Sequence, residues 1–186
     1  MLKLYGGAKS RASIVRWYLE EIGLPYEFVL LDLQAGEHRQ PEFLKLNPMG
    51  KVPVIVDGDL VLWESGAILL YLAQTHGQLP SDAATAAKVY QWVLFANSTL
   101  SQAMFPPENR DRQLPSLLAG LDATLQGNTY ILGADFSVAD VALGSILAYL
   151  QMLFQVDLSP YPAVEGYTER LRSRPAFQKG LLGANA

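Results

Sequence analysis

The sequence predicts an α/β domain of βαβαββα order followed by an all-helical domain, and three observations carry that prediction. Short runs of β-branched and aromatic residues, at 2–5, 26–33, 54–56 and 60–63, are confined to the first third of the chain. Segments between and after these runs carry apolar residues at helical spacing. Beyond a Gly-, Pro- and Ser-containing stretch at 77–82 no strand pattern survives, and helical segments follow to the end of the chain.

The first run, 2–5, gives way to a helix over 10–22 with Ile14, Val15, Tyr18, Leu19 and Ile22 on one face, ended by Gly23 and Pro25. A second strand over 26–33 and a short helical turn over 41–46 complete β-α-β-α. Strands at 54–56 and 60–63 flank Asp57-Gly58-Asp59, a hairpin signal in which Gly58 supplies the positive φ of a tight turn. The helix over 64–76, apolar at Ile68, Leu69, Leu72 and Ala73, closes a first domain of residues 1–77. The second domain, 83–186, carries helices over roughly 83–104, 114–125, 137–153 and 161–172 and a short last one. Pro106-Pro107 is expected to end the first of these. In Phe136-Ser137-Val138-Ala139-Asp140-Val141, Ser137 caps a helix start, Asp140 reaches back to the Ser137 N–H, and Phe136 and Val141 form the staple. That is a structural signal, and no catalysis is assigned to it.

Composition narrows the function classes. Half of the 186 residues are apolar, ample for a buried core. Fourteen Lys and Arg against eighteen Asp and Glu leave a formal charge of −4 with no basic stripe, which argues against a nucleic-acid partner. There is no cysteine, so the chain itself holds no disulfide, thiolate metal ligand or Cys nucleophile, and any thiol chemistry must use a bound thiol. His38 and His76 show no metal-ligand spacing, and no phosphate-binding glycine fingerprint appears. The opening residues lack an apolar run of secretory type, and the apolar stretch 141–154 is too short to span a bilayer, so a cytoplasmic protein without a membrane partner is expected. Asn97-Ser98-Thr99 matches a glycosylation sequon but lies in a predicted helix and is discounted.

The βαβαββα order, together with Asn47-Pro48-Met49-Gly50-Lys51-Val52-Pro53 and Glu64-Ser65-Gly66-Ala67-Ile68, resembles the cytosolic glutathione transferase superfamily over essentially the whole chain. Phe136 to Asp140 and Arg174-Pro175-Ala176 resemble further motifs of that family, and the opening Leu-Lys-Leu-Tyr-Gly-Gly and short length are most like its cyanobacterial chi class. The resemblance implies a thioredoxin-like first domain that holds glutathione, a helical second domain carrying the electrophile site, and a homodimer formed around the 64–76 and 83–104 helices.

It also assigns residues. The Val52-Pro53 bond is expected to be cis, turning the Val52 N–H and C=O towards an extended peptide. Glu64 and Ser65, at a strand-to-helix junction, would take the ammonium and the carboxylate of the γ-glutamyl group, although both also suit a plain helix cap. Lys51 and His38 are candidates for the glycine carboxylate, with Arg39 competing with His38. The reacting species is a thiolate, so a donor must lower the thiol's pKa. Ser10, where serine-type classes place their hydroxyl, is the first choice, ahead of Arg11 and Tyr5. Ser10 also fits a helix N-cap, Arg11 a surface pair, Tyr5 a strand-end core aromatic and Ser13 a first-turn polar residue. Trp92, Phe95, Met104 and Phe105 are candidates for the electrophile site, although residue by residue aromatic side chains at helical spacing more often pack as interhelical core.

The activity implied is conjugation of glutathione to hydrophobic electrophiles such as isothiocyanates and aryl halides, in detoxification, with glutathione as cosubstrate and no metal. Glutathione-dependent peroxide reduction and a non-catalytic ligand-binding or dimerising module are the alternatives. The missing cysteine argues against glutaredoxin-like chemistry.

Overall fold

A computed structural model describes residues 1–76 and 78–183. The chain divides into two compact units. The first spans Met1–His76 and takes back the chain from Pro175 onward, and the second runs to Arg174.

The first unit has the thioredoxin-like order. Strand β1 (Leu2–Gly6) is followed by α1 (Ala12–Glu21), β2 (Tyr26–Leu30), a 3₁₀ turn at Glu37–Arg39, α2 (Pro41–Leu44), β3 (Val54–Asp57), β4 (Leu60–Trp63) and α3 (Ser65–Thr75). The sheet order is β2-β1-β3-β4, with β1 parallel to β2 and antiparallel to β3, and β3 antiparallel to β4. Gly58, at φ 59°, makes the β3–β4 hairpin in two residues, since Asp57 already pairs with Leu60.

Side chains alternate along β1: Leu2 and Leu4 are buried on one face, while Lys3 and Tyr5 take the other. Gly6 shares the Leu4 face, and a Cβ there would collide with that of Ala12, so α1 lies on this side. Against it α1 buries Ala12, Ile14, Val15, Trp17, Tyr18 and Leu19. Burial raises the Tyr18 phenol's pKa, and its hydroxyl has no hydrogen-bond partner among the described residues.

The last helix departs from expectation. The helical domain was expected to run to the chain's end, but α8 (Pro175–Gly180) packs on α1 in the first unit. Phe177 meets Trp17 edge-on at 4.8 Å, both fully buried, and Lys179 pairs with Glu20 at 2.8 Å. Gly180 has no room for a side chain, because a Cβ would overlap the backbone of Trp17. The sequence signal for the second domain was helical spacing, which cannot say which unit a terminal helix covers.

The second unit consists of α4 (Ala83–Phe95), a π-helical segment (Ala96–Leu100), α5 (Pro107–Leu125), α6 (Val138–Phe154) and α7 (Pro162–Arg172). Two details differ from the sequence reading. The expected 83–104 helix passes through the π segment, whose widened turn is stitched by side chains of the discounted sequon and its neighbour. Asn97 Nδ2 donates to Val93 O, the Ser98 hydroxyl to Leu94 O and the Ser101 hydroxyl to Asn97 O. Pro106-Pro107 does not merely end a helix, since Pro107 occupies the first turn of α5, where a missing N–H costs nothing. Helix α5 therefore starts seven residues earlier than expected and tolerates Pro115 in its interior.

The capping box at Ser137 forms, and Asp140, fully buried, does more than cap. Its carboxylate accepts from the Ile131 N–H (2.9 Å), the Ser137 N–H (2.8 Å), the Ser137 hydroxyl (3.0 Å) and the Tyr167 hydroxyl (3.0 Å). It thus ties the 126–137 connection and α7 to the start of α6. Burial pushes its pKa up while these bonds pull it down. Beside it, Phe136 packs edge-on to Tyr130 and under the Arg174 guanidinium.

Two stability predictions follow from this packing. Asp140→Ala strands four donors and is expected to cost more than about 3 kcal/mol in urea unfolding followed by circular dichroism. Gly180→Ala forces α8 off α1 and should cost about 1–3 kcal/mol in the same assay.

Candidate functional site

Strand register determines which residues meet. Val54 pairs with Tyr5 on one side and with Trp63 on the other, both antiparallel. The end of β1, the start of β3 and the end of β4 therefore lie at one end of the sheet, on strands about 5 Å apart. The loops that leave or enter at this end contain residues 7–11, 47–53 and 64–65. Because β2 is parallel to β1, its exit delivers the 31–40 segment to the same end. Every residue expected to hold glutathione or activate its thiol, except Tyr5, sits on one of these segments.

The turn after β1 is tight. A Cβ on Gly7 would strike Leu33, as one on Gly6 would strike Ala12. Ser10 bridges this turn: its hydroxyl accepts the N–H groups of Gly7 (3.1 Å) and Ala12 (3.3 Å) and donates to the Gly7 carbonyl (3.1 Å). Helix α1 then starts at Ala12, two residues after the expected position. The Ser10 carbonyl accepts from the Ser13 N–H and hydroxyl, which gives Ser13 its first-turn role. Arg11, half-buried, points its Nε to the Ser65 hydroxyl at 3.3 Å and so links the start of α1 to the start of α3.

Tyr5 is placed differently from the other two donors. It leaves β1 on the face opposite to Gly6 and α1, where its ring meets Phe43 of α2 edge-on at 6.2 Å.

The loop before β3 is shaped by Asn47, which sequence reasoning quoted in a motif but gave no role. Its side chain is 1 % exposed; Nδ2 donates to Lys51 O (2.8 Å), Oδ1 accepts the Met49 N–H (3.0 Å), and its own carbonyl accepts from Gly50 (2.9 Å). The Asn-Pro dipeptide was the available turn signal. Gly50 takes φ 59°, and a Cβ there would press on the His38 carbonyl at 3.3 Å, so the glycine also lets the 3₁₀ turn approach. The Val52-Pro53 bond is cis, as is Phe105-Pro106 in the second unit. Val52 makes no backbone hydrogen bond among the described residues, and Lys51 is exposed. His38 is half-buried, its Nδ1 without a partner among the described residues, and Arg39 is exposed.

At the third segment Glu64 precedes α3 with φ 73° and ψ 116°, a backbone region few side-chain-bearing residues occupy. Its carboxylate is exposed and does not cap the helix, while Ser65 is buried behind it. The first-turn N–H groups of α3 thus face the same end of the sheet as the start of α1. Two helix N-termini, Arg11 and Lys51 favour anions here, and the exposed Glu64 favours a cation. An extended zwitterion with a carboxylate at each end suits that arrangement. Among the described residues, no group of three or more His, Asp or Glu is placed to hold a metal.

In the second unit, Met104 is buried, Trp92 and Phe95 form an edge-on pair at 5.4 Å, and Phe105, 60 % exposed, meets Phe154 at 5.0 Å. A groove of about 340 Å³ lies between α5 and the 156–161 segment, on Leu114, Leu118, Val156 and Tyr161, and none of the four expected electrophile residues lines it.

Comparison with known proteins gives this arrangement its family. Residues 1–74 match the family model described as glutathione S-transferase, N-terminal domain, and residues 85–179 match the one described as glutathione S-transferase, C-terminal domain. The chain belongs to the glutathione S-transferase family. Among relatives of this transferase, the glutathione S-transferase GstB of Escherichia coli K12 is 35 % identical over 98 % of both chains. The disulfide-bond oxidoreductase YfcG of the same organism is 31 % identical over 99 % of this chain and 96 % of its own. A crystal structure of a glutathione transferase from Burkholderia graminis, with two glutathione molecules bound per subunit, superposes with a TM-score of 0.86 at 33 % identity, covering 97 % of this chain and 87 % of that one.

The Glu64 backbone yields a prediction of its own. Its conformation costs about 1–3 kcal/mol, so Glu64→Gly is expected to raise the transferase's urea midpoint, by roughly 1 kcal/mol of stability. An unchanged or lower midpoint would show that the conformation carries no strain.

Proposed function

We propose that this glutathione S-transferase conjugates the glutathione thiolate to hydrophobic electrophiles, with isothiocyanates and aryl halides as the substrate class and detoxification as the role. Glutathione is the cosubstrate. What carries the reading is the meeting, at one end of the first unit's sheet, of the Ser10 turn, the cis Val52-Pro53 strand entry and the Glu64-Ser65 helix start. Relatives named glutathione S-transferases, and neighbours with glutathione bound, support it.

In this reading Val52 pairs with the peptide backbone of glutathione through its unused N–H and C=O. Ser65 and the first N–H groups of α3 receive the γ-glutamyl carboxylate, with Arg11 adding positive charge behind Ser65. Glu64 takes the ammonium group. Lys51, with His38 or Arg39, receives the glycine carboxylate. The sulfur then lies at the turn after β1, the segment that carries Ser10 and Arg11. Tyr5, the third donor considered, faces α2 and is the weakest of them.

A free thiol of pKa about 8.5 must drop by about two units to be mostly thiolate at neutral pH, which takes roughly 2.7 kcal/mol of preferential stabilisation of the anion. Two helix N-termini and one or two donors supply energies of that order. Attack of the thiolate on an electrophilic carbon forms the thioether and expels halide from an aryl halide, or adds across the isothiocyanate carbon with a proton taken up at nitrogen. Trp92, Phe95, Met104 and Phe105 are the residues proposed to receive the electrophile. The chi-class resemblance of the opening residues is what favours isothiocyanates.

A second reading is glutathione-dependent peroxide reduction. The same activated thiolate, with a second glutathione, would reduce a hydroperoxide to alcohol and water and leave glutathione disulfide, without any protein cysteine. A non-catalytic binding module is the third. A homodimer and a cytoplasmic location are proposed on family grounds; among the described residues no helix is long and apolar enough to cross a membrane.

The test is thiolate absorbance of bound glutathione against pH, alongside turnover with an aryl halide, an isothiocyanate and an alkyl hydroperoxide. A thiol pKa about two units below that of free glutathione, with conjugation exceeding peroxide reduction, is the expected outcome. Binding without a shift supports the non-catalytic module, and peroxide reduction alone supports the second reading.

A further inference from the structure

We propose that Ser10 is a positioning residue of the turn after β1 and not the donor that stabilises the thiolate. The proposal rests on the glutathione reading of this site and assigns a role within it.

The hydroxyl's capacity is already committed. A serine hydroxyl has one proton and two lone pairs. At Ser10 the proton goes to the Gly7 carbonyl at 3.1 Å, and the lone pairs take the N–H groups of Gly7 at 3.1 Å and Ala12 at 3.3 Å. Donating to a sulfur means withdrawing the proton from Gly7 O and leaving that half-buried carbonyl without its partner.

The turn it bridges has little freedom to compensate. Gly6 is packed so closely against Ala12 that it admits no Cβ, and a Cβ on Gly7 would displace the Leu33 side chain. The Ser10 carbonyl is engaged as well, by the N–H and the hydroxyl of Ser13. Ser10 thus joins the last residues before the turn to the first residues of α1, and its side chain acts as a clamp on the backbone.

What the clamp leaves available are backbone donors. The N–H groups of Lys9 and Ser10 form no hydrogen bond among the described residues, and they stand just before the N-terminus of α1, where the helix dipole favours an anion. An anion held by main-chain N–H groups depends on the shape of the turn, and therefore on Ser10, without touching its hydroxyl.

Ser10→Ala separates the two roles. Amide hydrogen exchange in the glutathione-free protein is expected to accelerate at residues 7–12 by tenfold or more, with the KM for glutathione raised. The bound thiol is expected to keep its pKa about two units below the free value. Ser10→Thr, which restores a hydroxyl, should bring exchange protection back. A thiol pKa in Ser10→Ala that returns to the free value overturns the proposal, as does exchange at 7–12 that does not change.

A second measurement needs no variant. In a crystal structure of the wild-type protein with glutathione, the Ser10 hydroxyl should remain on the Gly7 carbonyl, and its rotation onto the sulfur would overturn the assignment. Failure of the wild type to bind glutathione would instead count against the glutathione reading itself.

Discussion

The double antiparallel pairing of Val54, with Tyr5 and with Trp63, is the constraint on which the candidate site depends. It brings the end of β1, the entry to β3 and the exit of β4 to one end of the sheet, and with them the starts of α1 and α3. A slip of one residue in either pairing would turn every side chain of the slipped strand to the opposite face. Burial enforces the register on β1, where Leu2 and Leu4 are buried while Lys3 is exposed and Tyr5 half-buried, and a slip would exchange them. The site is in this sense a consequence of core packing. Its residues supply chemistry, but the apolar strands decide that they meet.

Three loops built on that frame are shaped by different means. The turn after β1 relies on Gly6, which has no room for a Cβ beside Ala12, and on a serine that bonds across it. The loop before β3 is organised by the buried Asn47, which uses its amide and its carbonyl in local bonds, and by Gly50 at positive φ. The junction before α3 uses neither, and holds Glu64 in a strained conformation with its carboxylate free. A plain helix start would place a side-chain oxygen back on the helix N–H groups. Here no side-chain oxygen of Glu64 caps the helix and its carboxylate faces outward, an arrangement that suits a bound molecule with an anionic and a cationic group side by side.

Much of this was legible in the sequence. Short runs of β-branched and aromatic residues located the four strands, helical spacing the order of the helices and the Asp-Gly turn the hairpin, and the Ser137-to-Asp140 capping box formed at the expected residues. The rest depended on information that local pattern does not contain. Periodicity identified α8 as a helix but could not place it on Trp17, because that contact is made across most of the chain's length. Pro106-Pro107 reads equally as a stop and as a start, and only the fold distinguishes a proline after a last turn from one inside a first turn. The π segment was hidden because Asn97, Ser98 and Ser101 look like ordinary helix-surface polar residues until their bonds to carbonyls are seen. Residue type suggested three sulfur donors at the start of the chain. Direction separated them: Tyr5 faces α2, Arg11 faces Ser65 and Ser10 faces its own turn.

That separation bears on how a protein with no cysteine can manage thiol chemistry. The substrate supplies the sulfur, so the protein is required only to favour one protonation state over another by a few kcal/mol. A single side-chain hydroxyl can do this, but one that must also hold its own loop together would have to surrender a bond in the loop for each bond it offers. The main-chain N–H groups of Lys9 and Ser10, just before the helix start, carry no such conflict, since they form no hydrogen bond among the described residues. The conflict is resolved when side chains such as Ser10 and Asn47 shape the backbone, and the backbone, with the helix ends and Arg11 behind it, presents the charge.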